Sequence, residues 1–254
     1  MAELRLTLVQ SHLEWEQPTA NLSHFSRLLQ SVEQTDVIVL PELFSTAFSL
    51  SAPAEFMDGQ SVQWMRQLSQ EKNALIIGSL LLQENGYKYN RLICAFPDGS
   101  IQHYDKRHLF GMMDEEDHIH KGDKRLTIDF LGWRICPLIC YDLRFPVYSR
   151  NTDQYDVLLY VANWPISRIE HWNKLLTARA IENQSYVVGV NRIGEDVNGI
   201  IYNGQSSVID ANGHIIYIGS EKEEIKTLSI NKESLHSVRK KLPFLKDADR
   251  FTIH

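Results

Sequence analysis

Trp133-Arg134-Ile135-Cys136-Pro137-Leu138-Ile139-Cys140-Tyr141-Asp142-Leu143-Arg144-Phe145-Pro146 changes character midway: an apolar, β-leaning run breaks into a polar one with the marks of a helix start. The pattern predicts a buried strand over 134–139 and a helix from Asp142, with the thiol of Cys140 presented at the junction. That position matters because the thiolate is the nucleophile. A helix N-terminus lowers the proton affinity of a cysteine from its usual pKa of about 8.5. Such a thiol needs a base and an oxyanion stabiliser elsewhere in the chain.

On both sides of this stretch, strand and helix patterns alternate, which favours a layered α/β or α+β fold. Upstream, a strand over 4–10 precedes a helix over 19–33 that carries Leu22, Phe25, Leu29 and Val32 at helical spacing. A buried strand over 37–40, a helix over 61–73 with Val62, Met65 and Leu68 on one stripe, and a strand over 74–82 follow. A hairpin with arms over 89–96 and 100–105 turns at Asp98-Gly99. Downstream the order repeats: a strand over 157–161, a helix over 171–184, a strand over 186–192 and a hairpin turned at Asn212-Gly213. This echo suggests two similar sheets packed face to face with helices outside, about twelve strands in all. A helix over 231–241 is stopped by Pro243, and an aromatic tail, about 243–254, is expected to pack against a neighbouring subunit.

The chain of 254 residues is long for one domain and short for two, so a single domain over 1–254 with one large core is expected. A formal net charge of -6 argues against a nucleic-acid partner, and Arg239-Lys240-Lys241 reads as a helix end. The N-terminus alternates like a strand and has no basic, then apolar, leader. No apolar run approaches the roughly 20 residues that cross a bilayer, so no membrane partner is expected. Three cysteines with no CxxC pair fit a reducing compartment, and a cytoplasmic location is expected.

Three polar residues stand where strands are expected to end: Glu42 after Val37-Ile38-Val39-Leu40-Pro41, Lys106 after His103-Tyr104-Asp105, and Cys140. Reacting groups gather beyond the carboxyl ends of strands in such sheets, so these three can converge. Glu42, flanked by Leu40, Leu43 and Phe44, would be a desolvated carboxylate fit to accept the thiol proton. Lys106 would favour the thiolate and later stabilise an oxyanion, with the backbone N–H of Tyr141 as second donor. Cys94 and Cys136 lie inside strand-like runs and are expected to be buried and inert.

The segments around these residues, 39–44, 104–110 and 138–146, resemble the three signature segments of the nitrilase (carbon–nitrogen hydrolase) superfamily in order and spacing. The resemblance extends through Tyr160-Val161-Ala162-Asn163-Trp164-Pro165, the run 171–183 and Asn191-Arg192 to nearly the whole chain, and in that detail is greatest to bacterial omega-amidases. It implies a four-layer α-β-β-α sandwich, usually a homodimer. It also implies a Glu-Lys-Cys triad that hydrolyses a small-molecule amide through a thioester and releases ammonia, with no metal or organic cofactor. The favoured substrates by this resemblance are ω-amides of 2-oxo dicarboxylic acids, such as 2-oxoglutaramate and 2-oxosuccinamate. A second glutamate follows the lysine segment in this superfamily, and counting from Lys106 favours Glu115 over Glu116. Val147 departs from the pattern, since many relatives carry glutamate after Phe-Pro. A keto-acid substrate needs a cation for its carboxylate: Arg144 and Arg107 are the candidates, each with a structural ion pair, to Asp142 or Asp105, as the alternative. Phe44, Phe48 and Trp164 are candidate pocket walls.

Other readings have less behind them. The acids and histidines of 114–123 lack a second cluster to complete a metal site. Gly189-Val190-Asn191-Arg192-Ile193-Gly194 continues into Glu195-Asp196, where a phosphate loop requires Lys-Ser/Thr. A papain-like Cys–His pair lacks its local sequence, and His108 and His171 are expected to support the site or lie at the surface. A nitrilase, a carbamoyl amino acid hydrolase, an aliphatic amidase, an inactive scaffold and an oxidisable sensor thiol are the remaining alternatives.

Overall fold

A computed structural model describes residues 2–253. The chain opens with β1 (Glu3–Gln10), α1 (Pro18–Leu29), β2 (Val37–Val39), α2 (Gln60–Lys72) and β3 (Leu75–Glu84). It reverses at Asn85-Gly86 into β4 (Tyr87–Ala95) and at Asp98-Gly99 into β5 (Ile101–Asp105). A loop bearing the short helix α3 (Glu115–His118) leads to β6 (Ile128–Phe130), β7 (Trp133–Ile139), β8 (Val157–Ala162), α4 (Ile169–Asn183) and β9 (Tyr186–Asn191). A ribbon of β10 (Ile193–Glu195) and β11 (Ile201–Asn203) precedes β12 (Ser207–Ile209), β13 (Ile215–Ile218), β14 (Glu224–Asn231) and α5 (Lys232–Lys241).

Two six-stranded sheets result, ordered β14-β1-β2-β3-β4-β5 and β13-β12-β9-β8-β7-β6. Each has a parallel centre, β1-β2-β3 in one and β7-β8-β9 in the other. A single antiparallel strand flanks each centre on one side and an antiparallel pair on the other. The registers correspond as well: Leu6, Val37 and Leu75 lie abreast in the first sheet, and Ile135, Val157 and Tyr186 in the second. The echo in the sequence is therefore a repeated topology.

Parallel strands covered on both faces need apolar residues throughout, which is why β2 and β8, and β9 up to Val190, read as apolar runs. Leu6, Val39 and Ile77 share one core with Leu138, Leu159 and Val188, so the two sheets pack on each other. Phe25 of α1 and Val62 and Met65 of α2 cover the far side of the first sheet, against Ile38, Leu40 and Ile76. Trp172 and Leu176 of α4 join the core of the second. The order is helix, sheet, sheet, helix.

The structure corrects one expectation near the thiol. No α-helix starts at Asp142: Cys140–Arg144 form a single 3-10 turn. Pro146 cannot continue a helix and disfavours helical conformation at Phe145, so the segment stops there. Helix α1 also ends earlier than its pattern, at Leu29, although Val32 stays buried.

Candidate active site

The strand ends deliver the polar residues to one place. Leu40 still pairs with Ile77, and beyond it Leu43 turns with a positive φ of 45°, its N–H bonded to Ser79 Oγ at 2.9 Å. Glu42 is thereby held inside the protein. Lys106 follows β5 with its N–H on Asn90 O at 3.0 Å. Cys140 adopts a φ of 42°, a left-handed conformation that a non-glycine residue holds only when its surroundings enforce it.

Asp142 does much of that enforcing. Its buried carboxylate accepts the Ile139 N–H at 3.0 Å, the Tyr104 hydroxyl at 2.8 Å, the His108 N–H at 3.1 Å and contacts His108 Nδ1 at 2.7 Å. The turn at Cys140 is thus tied to the loop that carries Lys106. Asp142 is fully engaged with these groups and makes no ion pair with Arg144. His108 supports the site, stacked on Phe145 with ring centres 3.8 Å apart.

Glu42, Lys106 and Glu115 are buried. Lys106 Nζ donates to Glu42 Oε1 at 2.9 Å and reaches both Glu115 oxygens at 3.0 Å. Burial works against the ammonium, but Glu115 and Glu42 outweigh it and hold the lysine pKa above its usual value. Burial raises the Glu115 carboxyl, with Lys106 opposing. Glu115 also accepts the Phe110 N–H at 2.6 Å, whereas Glu116 is exposed. Glu42 also accepts from Asn90 Nδ2, 2.9 Å from Oε1, and from the Asn163 N–H and Nδ2, 2.9 and 3.3 Å from Oε2.

The Cys140 thiol hydrogen-bonds to Glu42. Burial, and then the charge of Glu42, push its pKa well above the usual range, while Lys106 pulls the other way. This corrects the expectation of a thiolate made by a helix terminus. Burial and Glu42 both favour the protonated thiol, whose hydrogen-bond partner is the Glu42 carboxyl. Cys136, earlier on β7, is enclosed in the core and burial pushes it up to about 12; Cys94 is likewise buried.

In front of the thiol lies a small pocket. Lys106, Cys140 and Asn163 reach into it, and Phe48, Phe110, Trp164 and Tyr202 are among its walls. Tyr141, Arg144 and Arg168 line it as well. Phe44 does not: it packs edge-on against Phe25, 5.5 Å between centres, in the core beneath α1 and α2. Arg107 is not among the lining residues, and its guanidinium reaches Gly122 O at 3.5 Å. Among the described residues no cluster of three or more His, Cys, Asp or Glu side chains is arranged to hold a metal ion.

Sequence reasoning passed over Asn90, Asn163, Asp142 as a buried tie, Arg168 and Tyr202. Asn163 had a signal, since it too follows a central strand directly. Tyr202, on the short β11, had none.

The sequence profile described as Carbon-nitrogen hydrolase matches residues 5–240. Omega-amidase YafV of Escherichia coli (strain K12) is 46% identical over 255 residues, covering 100% of both chains. The 2-oxoglutaramate amidase of Bacillus subtilis is 32% identical over 250 residues, covering 95% of this chain and 96% of that one. Among solved structures, a CN-hydrolase superfamily protein of Xanthomonas campestris with an arsenic adduct in its active site superposes with a TM-score of 0.98 at 41% identity, covering 100% of both chains.

Proposed function

The chain belongs to the carbon–nitrogen hydrolase family and hydrolyses amide C–N bonds, and on that premise we propose that it is an omega-amidase. It removes the terminal amide of 2-oxo dicarboxylic acid monoamides, 2-oxoglutaramate and 2-oxosuccinamate, giving the 2-oxo acid and ammonia. The observation that carries this reading is the Lys106 ammonium held between Glu42 and Glu115, with the Cys140 thiol bonded to Glu42 at the pocket floor. The names of the two curated relatives support the substrate class.

Cys140 Sγ attacks the amide carbon as Glu42 takes its proton. The resulting oxyanion is met by Lys106 Nζ and the Tyr141 N–H. Glu42 then gives the proton to the amide nitrogen, the C–N bond breaks, ammonia leaves and a thioester remains. Water attacks the thioester as Glu42 takes its proton; the C–S bond breaks, and the proton returns to sulfur. Glu115 keeps Lys106 charged and aimed. Phe48 and Trp164 confine the substrate chain, and Arg144 meets its carboxylate.

The same reading takes 1–254 as one catalytic domain working as a homodimer in the cytoplasm. Exposed Phe244, Phe251 and Ile253 in the tail and the three unpaired cysteines support it. The test is an ammonia-release panel of 2-oxoglutaramate, 2-oxosuccinamate, glutamine, a nitrile and an N-carbamoyl amino acid. The two oxo-amides should rank first in kcat/KM; a leading nitrile or carbamoyl compound would move the protein to another branch.

A further inference from the structure

Arg144, in the turn after β7, and Arg168, just before α4, line the same pocket. Each guanidinium lies over an aromatic ring: Arg144 is 4.8 Å from the centre of Trp164, and Arg168 is 5.3 Å from that of Phe110. Arg144 reaches His171 Nδ1 at 3.2 Å. Among the described residues, no carboxylate lies within ion-pair distance of either. Four other enclosed arginines are neutralised by carboxylates: Arg91 by Asp105 and Glu84, Arg125 by Asp153, Arg179 by Glu182 and Arg239 by Asp156. Arg66, Arg150 and Arg192 also have no ion pair among the described residues, but none of them lines this pocket; Arg192 bonds backbone oxygens and faces Tyr202.

Two cations with no counter-charge beside one small pocket repel each other. Burial, and next the charge of Arg168, lower the proton affinity of Arg144. An anionic ligand relieves that repulsion. A guanidinium over an aromatic face keeps N–H groups for a carboxylate, which it can hold in pairs of parallel hydrogen bonds.

We propose that Arg144 and Arg168 together seat the carboxylate at the far end of the substrate, and that their joint charge makes the enzyme prefer a 2-oxo group to a 2-ammonium group. The proposal rests on the omega-amidase reading and adds Arg168 and the basis of the choice. An oxo oxygen beside the carboxylate is an acceptor for a remaining N–H. An ammonium at that carbon is a third cation placed against two, in a site where charges are poorly screened. Glutamine, though it carries the same amide and the same carboxylate, is thereby excluded.

The experiment compares the wild type with Arg168→Gln, Arg168→Lys and Arg144→Gln on 2-oxoglutaramate, L-glutamine and butanamide. Arg168→Gln should raise KM for 2-oxoglutaramate roughly 10–100-fold with kcat changed less than about threefold. Its loss on butanamide should be at least about tenfold smaller, and the preference for the oxo compound over glutamine should fall about tenfold. Arg168→Lys should recover the preference more than the affinity, because it keeps the charge and loses the fork. Equal losses on all three amides would overturn the seat. A second measurement separates this from failure of the functional reading: protection of Cys140 from iodoacetamide by 2-oxoglutarate, which needs no turnover. Arg168→Gln should require about tenfold more 2-oxoglutarate for half-protection; equal protection in both proteins would overturn the proposal even if 2-oxoglutaramate is a substrate. Protection that depends on Arg168 in an enzyme inactive on 2-oxoglutaramate would uphold the carboxylate seat and reject that substrate.

Discussion

Ser11 and Cys140 occupy the same place in the two halves of the molecule, each directly after the first parallel strand of its sheet. The first end is shut. Ser11 is fully buried, its hydroxyl donates to Glu223 Oε1 at 2.6 Å, and His24 of α1 lies 3.1 Å away. The second end is open: Cys140 is partly exposed, with Glu42 on one side and the pocket on the other. The segment after each strand makes the difference. The full helix α1 comes after β1 and helps cover its end, whereas the turn after β7 is too short to do so because Pro146 stops it. Register makes Ala162 the counterpart of Glu42 in the same way. Repeated topology thus provides matched strand ends, and local covering decides which one opens onto the pocket.

The sharpest way to break this comparison is to give the open end the residue of the shut one. Cys140→Ser should lower ammonia release by at least about 10³-fold, since a hydroxyl is a far weaker nucleophile with this base; near-normal turnover would make the thiol incidental. Next in size, Lys106→Met should cost roughly 10²–10³ in kcat. It should also lower unfolding free energy in urea by about 3–5 kcal/mol, because Glu42 and Glu115 are left buried without their cation.

A pH profile sharpens the contrast between the sulfurs. Alkylation of Cys140 by iodoacetamide should keep rising with pH beyond the range of an ordinary thiol, because burial and Glu42 favour its protonated form. In Glu42→Gln that profile should move to lower pH while turnover is lost; an unmoved profile would remove Glu42 as the thiol's partner. The raised proton affinity has a consequence for stability. The contribution of Cys140 is fully present below the unfolded thiol's pKa of about 8.5 and is lost as pH rises through the folded-state value. The smallest effects concern the shared frame. Gly78 and Gly189 lie on the matching strands β3 and β9, and an added Cβ would meet Leu40 at 2.9 Å in one and Leu176 and Trp172 at 2.7 Å in the other. Either glycine changed to alanine should cost about 1–3 kcal/mol in thermal unfolding and leave KM nearly unaltered.

Much of this was legible in the sequence because strand ends are. The apolar runs before Glu42 and Cys140 and the hairpin arm before Lys106 marked positions that the fold gathers, and the count from Lys106 favoured Glu115 over Glu116 without separating them. The turn at Cys140–Arg144 reads as a helix because polarity announces a change of structure without giving its length. Phe44 and Phe48 look alike in sequence and each follows a residue of positive φ, yet one lies in the core beneath α1 and α2 and the other at the pocket. Strands of three residues such as β6 and β11 are too short to show a period, so Tyr202 had no address. Asp142 carries a helix-start reading, while its use as a buried tie depends on Tyr104 and His108, far away in sequence.

Whether the open end is the reacting one is tested most directly by acid-quenched peptide mass spectrometry during turnover of 2-oxoglutaramate. The acyl group of the substrate should appear on the peptide carrying Cys140 and be absent from the peptides carrying Cys94 and Ser11. It should be absent altogether in Cys140→Ala, which should release no ammonia. Ammonia release by Cys140→Ala, or the acyl group on another side chain, would contradict a reacting thiol at the end of β7.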